Sequence, residues 1–375
     1  QRRRGMNHKN FLLAAGTAAL LLGSGVWLSM REASQQADLG GGIVFADLKP
    51  ALGEVAEIRF SKGDGSRTTL RKDAAGWTVV ERQYPADAAR VRELALALAN
   101  LKVVERKTSD PANYAKIGVE TPDSPTAGST LVEVVAGKKT WSLIVGKGAE
   151  GRAVYIRKPA EAASSLAQPL IAPDPDQKRW IDRLLTDIPG ANVHDLAVKT
   201  GAGPAYLLTR AKRADPEFTL SPVPRGRKPV SNMALNGQAD ALGAFSFDDV
   251  RVLSSPATPP TDVATYRTFD GQVIEFGGHR EGEKAFITIS ARRDPKLAAQ
   301  FAEAPATPAA VPATPAAAKP VAPAAADQTV ERLVARTKSM EFEIPAYKYE
   351  GIFKKPEDLL EKLPEPVRKE TPKKK

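Results

Sequence analysis

The sequence predicts an α+β fold in which a unit of antiparallel β-strands with a covering helix is duplicated, preceded by one N-terminal transmembrane helix. Residues 76–105 show a strand, a proline break, a helix and a second strand. Residues 217–252 repeat that order. Near the N-terminus, residues 11–28 form an uncharged apolar run. The first two observations predict the duplication, and the third predicts the membrane helix.

The composition bounds the class of protein. A chain of 375 residues is long enough for two or three domains. The net charge is +10, but only 6% of the residues are aromatic, and much of the basic excess lies at the two ends of the chain. Nucleic-acid-binding proteins concentrate Lys and Arg along a groove with aromatic residues between them, so no nucleic-acid partner is predicted. The chain has no cysteine, which excludes disulfides and thiol nucleophiles but selects no compartment.

Residues 11–28 predict an uncleaved membrane anchor. At 1.5 Å per residue the run forms a helix of about 27 Å, close to a bilayer core of about 30 Å. Trp27 is placed at the membrane interface, and the basic residues at 2–4 and 9 hold the N-terminus in the cytoplasm. A single-pass protein of the inner (cytoplasmic) membrane, with the bulk of the chain in the periplasm, is therefore predicted. The residues assigned to the anchor are Phe11, Leu12, Leu20, Leu21, Leu22, Trp27 and Leu28.

Two other interpretations of this run stay open. A cleaved signal peptide has a similar apolar core, but it needs small residues in an A-x-A-like arrangement after that core. Here the core ends in Val26, Trp27, Leu28, Ser29 and Met30, and Arg31 follows, which is a poor cleavage site. The remaining interpretation is a buried core helix.

Shifts in composition divide the chain into seven segments. A Gly- and Gln-containing connector follows the anchor, and a Pro/Ala-rich stretch follows the second repeat. The predicted segments are 1–30, a cytoplasmic stub and anchor; 31–44, a flexible connector; 45–172, the first α+β repeat; 173–301, the second α+β repeat; 302–327, a disordered Pro/Ala-rich insertion; 328–363, a C-terminal segment that closes the second repeat; and 364–375, a basic tail.

In the first repeat, three antiparallel strands are predicted before the helix. Segments 55–62, 68–73 and 77–81 are rich in strand-forming residues and are separated by glycine-containing turns. Pro85 then breaks the strand pattern, and Asp87 is the predicted N-cap of a helix. That helix is predicted to cover the sheet with one apolar face, which consists of Val91, Leu94, Ala95, Leu98 and Leu101.

After this helix the first repeat returns to strands. Residues 101–108 follow the helix as a strand, and residues 110–119 form a compact loop or short helix. Three more strands, joined by turns, are predicted at 131–137, 138–147 and 152–158.

The second repeat matches the first element by element. Residues 180–189 are aligned with residues 45–54, and a helix at 233–245 is aligned with the helix of the first repeat. The aligned strands of the second repeat are 193–200, 205–212, 217–222, 263–271, 272–280 and 284–292. Because the order of elements matches throughout, an internal repeat is predicted.

The C-terminal part begins with low-complexity sequence. Residues 302–327 are dominated by proline and alanine, which cannot bury a core and favour an extended, disordered chain. A helix at 329–339, a strand at 340–345 and a helix at 356–363 are predicted after it. These elements are expected to pack on the second repeat and close it.

Several segments together resemble the bacterial family called domain of unknown function 4340. The most recognisable are the strand, PAD, helix and ANL run within 76–105 and the DxxxYAKxG segment at 110–118. The ending at 341–363 is also similar, and the resemblance covers most of the chain from residue 45 onward.

The resemblance implies a membrane-anchored exported protein that is an auxiliary subunit beside ABC-type exporter components of the gliding-motility kind. The implied partners are the inner membrane and an ABC-type permease and ATPase, or other envelope proteins. No catalytic motif comes with the family, so the resemblance implies no catalytic, cofactor-binding or metal-binding residue.

The histidines and acidic pairs give weak signals of chemistry. His194 is placed beside Asp195 at a strand start and His279 in a turn after two glycines. Both are expected to be surface residues in loops, with a catalytic or ligand role as the alternative. Asp248 and Asp249 are adjacent, and adjacent strand residues point to opposite faces, which favours a capping or turn role over paired catalysis. The glycines at 146–151 lack the GK[ST] ending of a phosphate loop. No enzymatic activity and no cofactor are predicted.

One basic cluster is a predicted partner contact. Arg225, Arg227 and Lys228 lie in the loop between a strand and the helix of the second repeat. They form either a solvated loop or a contact for acidic partners such as phospholipid headgroups or an acidic protein loop.

The predicted function is that of a non-enzymatic, membrane-anchored, extracytoplasmic accessory or scaffold subunit of an ABC-type export system. The alternative is a stand-alone envelope protein that binds a cell-wall or outer-membrane component, with the Pro/Ala segment as an extended spacer. A third interpretation, an exported hydrolase, needs a polar cleft of Asp or Ser residues that the sequence does not indicate.

Overall fold

Antiparallel strands and a few helices make this chain an α+β protein. The computed structural model describes residues 41–255, 257–301 and 323–361. These residues divide into two units by their packing. Unit 1 consists of the residues up to Glu81 and of Ala86–Trp180, and unit 2 consists of Arg82–Pro85 and the residues from Ile181 onward.

The sheet of unit 1 follows the alternation of its sequence. Ile58 and Phe60 are buried in the first strand, and Arg59 between them is exposed. The strands, numbered along the chain, are β1 (Val55–Ser61), β2 (Arg67–Asp73), β3 (Gly76–Val79), β4 (Tyr84–Pro85, within unit 2), β5 (Lys102–Arg106), β6 (Thr130–Ala136), β7 (Lys139–Ala149), β8 (Ala153–Arg157) and β9 (Ser164–Gln168). In unit 1 they lie in the order β3-β2-β1-β6-β7-β8-β9-β5, and all neighbours are antiparallel.

The main helix of unit 1 begins at the predicted cap. The helices of this unit are α1 (Leu48–Ala51), α2 (Ala88–Ala99) and α3 (Tyr114–Ile117). The Asp87 carboxylate accepts hydrogen bonds from the backbone N–H groups of Ala89 and Arg90 and so satisfies the free donors of the first turn of α2. The helix buries Val91, Leu94 and Leu98.

The DxxxYAKxG segment is a local structural motif. Asp110 caps a 3-10 turn that leads into α3, and the C-cap of α3 is Gly118, whose φ of 70° is left-handed. Arg157 donates to the backbone oxygen of Val119 at 2.9 Å and lies 4.6 Å from the ring centre of Tyr114. The residues that make this segment recognisable therefore shape and hold a turn.

Unit 2 contains a second antiparallel sheet. Its further strands are β10 (Leu184–Thr186), β11 (Val193–Thr200), β12 (Tyr206–Thr209), β13 (Thr219–Ser221), β14 (Phe245–Ser246), β15 (Asp249–Val252), β16 (Asp262–Thr268), β17 (Gln272–Glu281), β18 (Lys284–Arg293) and β19 (Met340–Ile344). The main sheet has the order β13-β12-β11-β16-β17-β18-β19-β15, and β10 pairs with β14.

The helices of unit 2 are α4 (Asn232–Ala239), α5 (Pro295–Gln300), α6 (Pro323–Thr337) and α7 (Ala346–Ile352). In α6, the residues Ala326, Val330, Leu333 and Thr337 are buried at helical spacing. The 3-10 turns of the two units are Leu52–Glu54, Val80–Arg82, Pro111–Asn113, Gln177–Arg179, Gly190–Asn192, Asp240–Leu242 and Pro356–Leu359.

The two main sheets have the same strand order. In each, three strands precede the main helix, the next strand lies at the far edge, and four strands fill the space between. Both also have a register shift at the start of the first strand, between Val55 and Glu57 in β1 and between Val193 and Asp195 in β11. A bulge at the same place in both sheets is a detailed correspondence, because bulges are specific features rather than defects.

Several predicted boundaries differ from the observed ones. The predicted connector extends to residue 44, but the N–H of Val44 donates to Leu101 and the N–H of Val103 donates to Gly42, so residues 42–44 pair with the chain around β5. The second repeat is predicted from residue 173, whereas residues 173–180 belong to unit 1 and the main part of unit 2 starts at Ile181. The reason for this difference is that Trp180 stacks on Phe60 of unit 1, with ring centres 4.9 Å apart.

The alignment of 180–189 with 45–54 is wrong in its secondary structure. The earlier segment contains the helix α1, and the later one contains the strand β10. In β10, Leu184 and Thr186 pair with β14, and this pairing outweighs local propensity.

The C-terminal helices also differ from their predictions. Helix α6 begins at Pro323 rather than at 329, because proline is tolerated in a first turn and the alanines after it are strong helix formers. The predicted insertion therefore ends before residue 323 instead of at 327. The predicted helix at 356–363 is only the turn Pro356–Leu359, since Leu360 is extended and bridges Pro229.

Some predictions fall outside the described residues. These are the anchor and its residues Phe11, Leu12, Leu20, Leu21, Leu22, Trp27 and Leu28, most of the connector, the insertion up to residue 322, and the basic tail. Among the helices of the described residues, none has the length and hydropathy needed to cross a membrane.

Candidate functional site

Ionisable side chains gather on one face of the unit 2 sheet. Strand alternation places Arg251 of β15 opposite Glu341 of β19, and it places His279 of β17 opposite Phe286 of β18. Glu281, two residues after His279, is on the same face. The residues on the opposite face are buried and apolar, among them Val250, Ile287 and Phe342. We call Arg251, His279, Glu281 and Glu341 the charge cluster.

Arg251 joins the two carboxylates of the charge cluster. Its Nη2 atom is 2.6 Å from both Glu281 Oε1 and Glu341 Oε2, and its guanidinium carbon lies 3.9 Å from the ring centre of Phe286. The hydrogen bond from Arg251 lowers the pKa of Glu281. One guanidinium therefore pairs with both carboxylates, and it favours the charged form of Glu281.

The charge cluster has the donor set of a metal site. His279 Nε2 lies 3.4 Å from Glu281 Oε1 and 3.5 Å from Glu341 Oε1, and imidazole and carboxylate are common zinc ligands. A metal ion there would compete with Arg251, which already binds both carboxylates. The arrangement is thus complete as an ion-pair network, with Glu341 only 2% exposed.

The expected surface-loop position is wrong for His279, whereas His194 lies at the start of a strand and is partly exposed. His279 lies within β17 and is 3% exposed, because Gly277 and Gly278 continue the strand instead of forming a turn. A Cβ atom on Gly278 would lie 2.4 Å from the Phe353 ring, so this glycine makes room for packing. His194 lies in β11, and its Nδ1 is 2.6 Å from Asp195 Oδ2.

Asp248 and Asp249 have structural roles. The Asp249 carboxylate lies 2.9 Å from Arg82 Nε, and the backbone N–H of Asp248 donates to Glu343. The pair is not assembled into one acid–base site, because its two members have separate partners.

The three residues of the predicted basic contact have different surroundings in the structure. Arg227 donates to the backbone oxygen of Glu361 at 2.9 Å and lies 3.3 Å from the Glu357 carboxylate, so it holds the C-terminal turn of unit 2. Arg225 and Lys228 are exposed on the same loop. These two remain available for the predicted contact with an acidic partner.

Unit 1 contains an open groove beside helix α2. Its volume is about 420 Å³, and one wall is α2 while the other is the chain after β9. Leu170 in that second wall is 44% exposed, whereas its neighbour Ile171 is 3% exposed. We call this feature the α2 groove; it is lined among others by Glu93, Leu94, Ala97, Leu170, Ile171 and Trp180.

The walls of the α2 groove are held by hydrogen bonds. Arg90 of α2 donates to the backbone oxygen of Arg179 at 3.2 Å, and the Trp180 indole N–H donates to the backbone oxygen of Asp174 at 2.7 Å. Arg179 also lies 3.4 Å from the Asp174 carboxylate. The groove is therefore a preformed recess with an apolar floor and both signs of charge at its rim.

A second recess of unit 1 is more polar. It has a volume of about 400 Å³ and lies between residues 42–44, β5 and β8. Lys158 and Glu161 at its rim form an ion pair of 3.2 Å. Its charged groups thus partly neutralise each other.

The comparison with protein families finds a match over much of both units. The family model described as "Domain of unknown function (DUF4340)" matches residues 77–268, just over half of the chain. No curated protein and no solved structure matches the chain. The matched range begins in β3 and ends with β16, so it includes α2, the DxxxYAKxG turn and α4.

Proposed function

The chain belongs to the domain of unknown function 4340 family, and from this premise we propose that it is a non-enzymatic, membrane-anchored, extracytoplasmic accessory subunit of an ABC-type export system. In this role it binds partner proteins and holds them in place. Its bulk is in the periplasm, and its anchor is the apolar run at 11–28.

The observation that carries the proposal is the α2 groove. A concave recess with an apolar floor, a charged rim and hydrogen-bonded walls is the kind of surface that binds another protein or a ligand. Leu170 at its edge is 44% exposed, an apolar surface that a partner would remove from water.

The charge cluster supports the non-enzymatic part of the proposal. General acid–base catalysis needs a carboxyl or imidazole group free to exchange a proton with a substrate. Arg251 binds both Glu281 and Glu341, which commits these carboxylates to an internal ion pair.

The exporter part rests on the family resemblance and on the N-terminal apolar sequence. The run at 11–28 is long enough for a membrane span. We attribute the equal strand orders of the two units to an internal duplication, which would give the subunit two related surfaces for its partners.

Co-purification tests the proposal. A tag at the C-terminus, crosslinking in intact cells and extraction in mild detergent would be followed by identification of the recovered proteins. We expect a permease and an ATPase in a fixed ratio to the chain. Recovery of the chain alone, or with envelope polymers, would contradict the exporter role and favour a stand-alone envelope protein.

A further inference from the structure

We propose that the α2 groove binds a short amphipathic helix of a partner protein, in the place that α7 occupies in unit 2. This inference rests on the proposed function and specifies the partner surface it requires. The two units share one strand order, so positions in one have equivalents in the other.

The chain after the last strand follows the same path in both units. The N–H of Asp87 donates to the backbone oxygen of Trp180 at 2.7 Å, immediately before α2. Immediately before α4, the N–H of Val230 donates to the backbone oxygen of Leu359 at 2.9 Å. Residues 169–180 of unit 1 therefore correspond to residues 345–359 of unit 2.

The main helices can be aligned at their N-caps, Asp87 and Ser231. The alignment matches two pairs of buried apolar residues, Val91 with Leu235 and Leu98 with Leu242.

The same alignment matches Leu94 with Gln238. In unit 2 the Gln238 side chain donates to the backbone oxygen of Ile352, the last residue of α7, at 3.2 Å. In unit 1 Leu94 lines the open α2 groove.

The two equivalent segments differ in their capacity to form a helix. Residues 346–352 of unit 2 form α7 and bury Tyr349 and Ile352, which are 3% and 1% exposed. The unit 1 segment has prolines at 169, 173 and 175, and proline inside a helix removes a hydrogen bond and clashes with the preceding turn. Unit 1 thus has the surface for a covering helix but has no such helix at this position.

The shape and charge of the groove define the partner. The α2 residues that line it are at 90, 93, 94 and 97, one face over two turns or about 10 Å of helix. A helix bound in a groove presents apolar residues at i, i+3 or i+4. Because the rim contains Arg90 and Arg179 as well as Glu93 and Asp174, the partner helix is expected to carry both signs of charge beside its apolar face.

Site-specific photocrosslinking in cells tests the inference. The probe is benzoylphenylalanine placed at Ala97 of the full chain, with the same probe at Arg92, an exposed position of α2 outside the groove, as the matched control. We expect the probe at 97, but not at 92, to crosslink to one segment of another protein with apolar residues at i, i+3 or i+4. Equal products at both positions, no product at 97, or attachment to a segment without that spacing would overturn the inference.

Blocking variants separate this inference from the proposed function. Ala97→Trp fills the groove, and Leu170→Asp places a charge at its edge without changing a buried residue. We expect both to reduce recovery of the partner by more than about tenfold, the effect of losing a central contact, with an unchanged melting temperature in Leu170→Asp. Arg92→Trp is the control. Full recovery with both groove variants would overturn the inference and leave the exporter role standing, whereas a crosslinked helix from a protein other than an exporter component would support the inference and contradict that role.

Discussion

Arg251 lies 3.9 Å from the ring centre of Phe286 and binds Glu341, a carboxylate that is only 2% exposed. A buried carboxylate needs a nearby cation, since an unpaired buried charge is strongly destabilising. The charge cluster is therefore expected to contribute to the stability of unit 2.

Replacing Arg251 tests whether the stability of unit 2 depends on the charge cluster. Arg251→Met leaves Glu341 without its main cation, and we expect the free energy of unfolding to fall by about 3 kcal/mol. The measurement is urea denaturation of the full chain in detergent. The control is Arg280→Met, which removes an exposed pair with Glu350 and should cost less than about 1 kcal/mol. Equal effects of the two variants would contradict the importance of the buried pair.

The lowered pKa of Glu281 should appear as a pH dependence. Its hydrogen bond from Arg251 favours the carboxylate in the folded state. The resulting stability is full above the unfolded pKa of about 4.3 and is lost as the pH falls through the lower folded pKa. The melting temperature of Glu281→Gln should therefore be below that of the wild type at neutral pH, and the gap should close in acid. Glu283→Gln, an exposed neighbour, is the control, and a gap that widens in acid would refute the assignment.

Two glycines of unit 2 should respond in opposite ways to alanine. Gly278→Ala places a Cβ atom 2.4 Å from the Phe353 ring, so we expect a loss of about 1–3 kcal/mol from overpacking. Gly237 lies in α4 with open space around its Cβ position, so Gly237→Ala should gain about 0.5–1 kcal/mol through helix propensity. Thermal unfolding of both variants checks the signs, and a stabilising Gly278→Ala would show that α7 packs elsewhere.

Arg157 should be required for the turn at 110–118. The residue is 6% exposed, and its guanidinium donates to the backbone oxygen of Val119. Arg157→Met leaves that buried acceptor without its donor, and we expect a loss of about 2 kcal/mol. Arg71→Met is the matched control, because Arg71 is 59% exposed in its ion pair with Glu57. Equal losses in the two variants would argue against this role.

Removing part of the Pro/Ala sequence should leave the folded units unchanged. Deletion of residues 305–316 takes out sequence that has no large apolar residue apart from one valine. We expect the melting temperature to stay within error of the wild type. A deletion that extends to residue 325 removes the start of α6 and should lower it. Equal behaviour of the two deletions would contradict the observed start of that helix.

Periodic and capped segments could be predicted from the sequence. The Asp87 cap with apolar residues at helical spacing defines α2, and the regular strands of both sheets stand out by their residue types. Elements that depend on tertiary contacts could not be predicted in the same way. Leu360 is extended because it bridges Pro229, although its sequence context favours a helix.

The α2 groove could not be predicted from the sequence, because it too depends on tertiary contacts. The α2 groove exists because residues near Leu170 do not form a helix that the equivalent segment of unit 2 does form, and only the comparison of the two units reveals this difference. The sequence predicts His279 in a turn because a glycine pair favours a turn. In the structure the pair continues a strand, and Gly278 leaves room for the nearby Phe353 ring.

The proposed function requires the chain to be a stoichiometric subunit of an export complex. Native mass spectrometry of the complex, purified from cells in mild detergent through a C-terminal tag, tests this most directly. We expect one species whose mass equals a permease, an ATPase and a fixed number of copies of this chain. A mass that corresponds to this chain alone, under conditions in which permease and ATPase stay together, would contradict it.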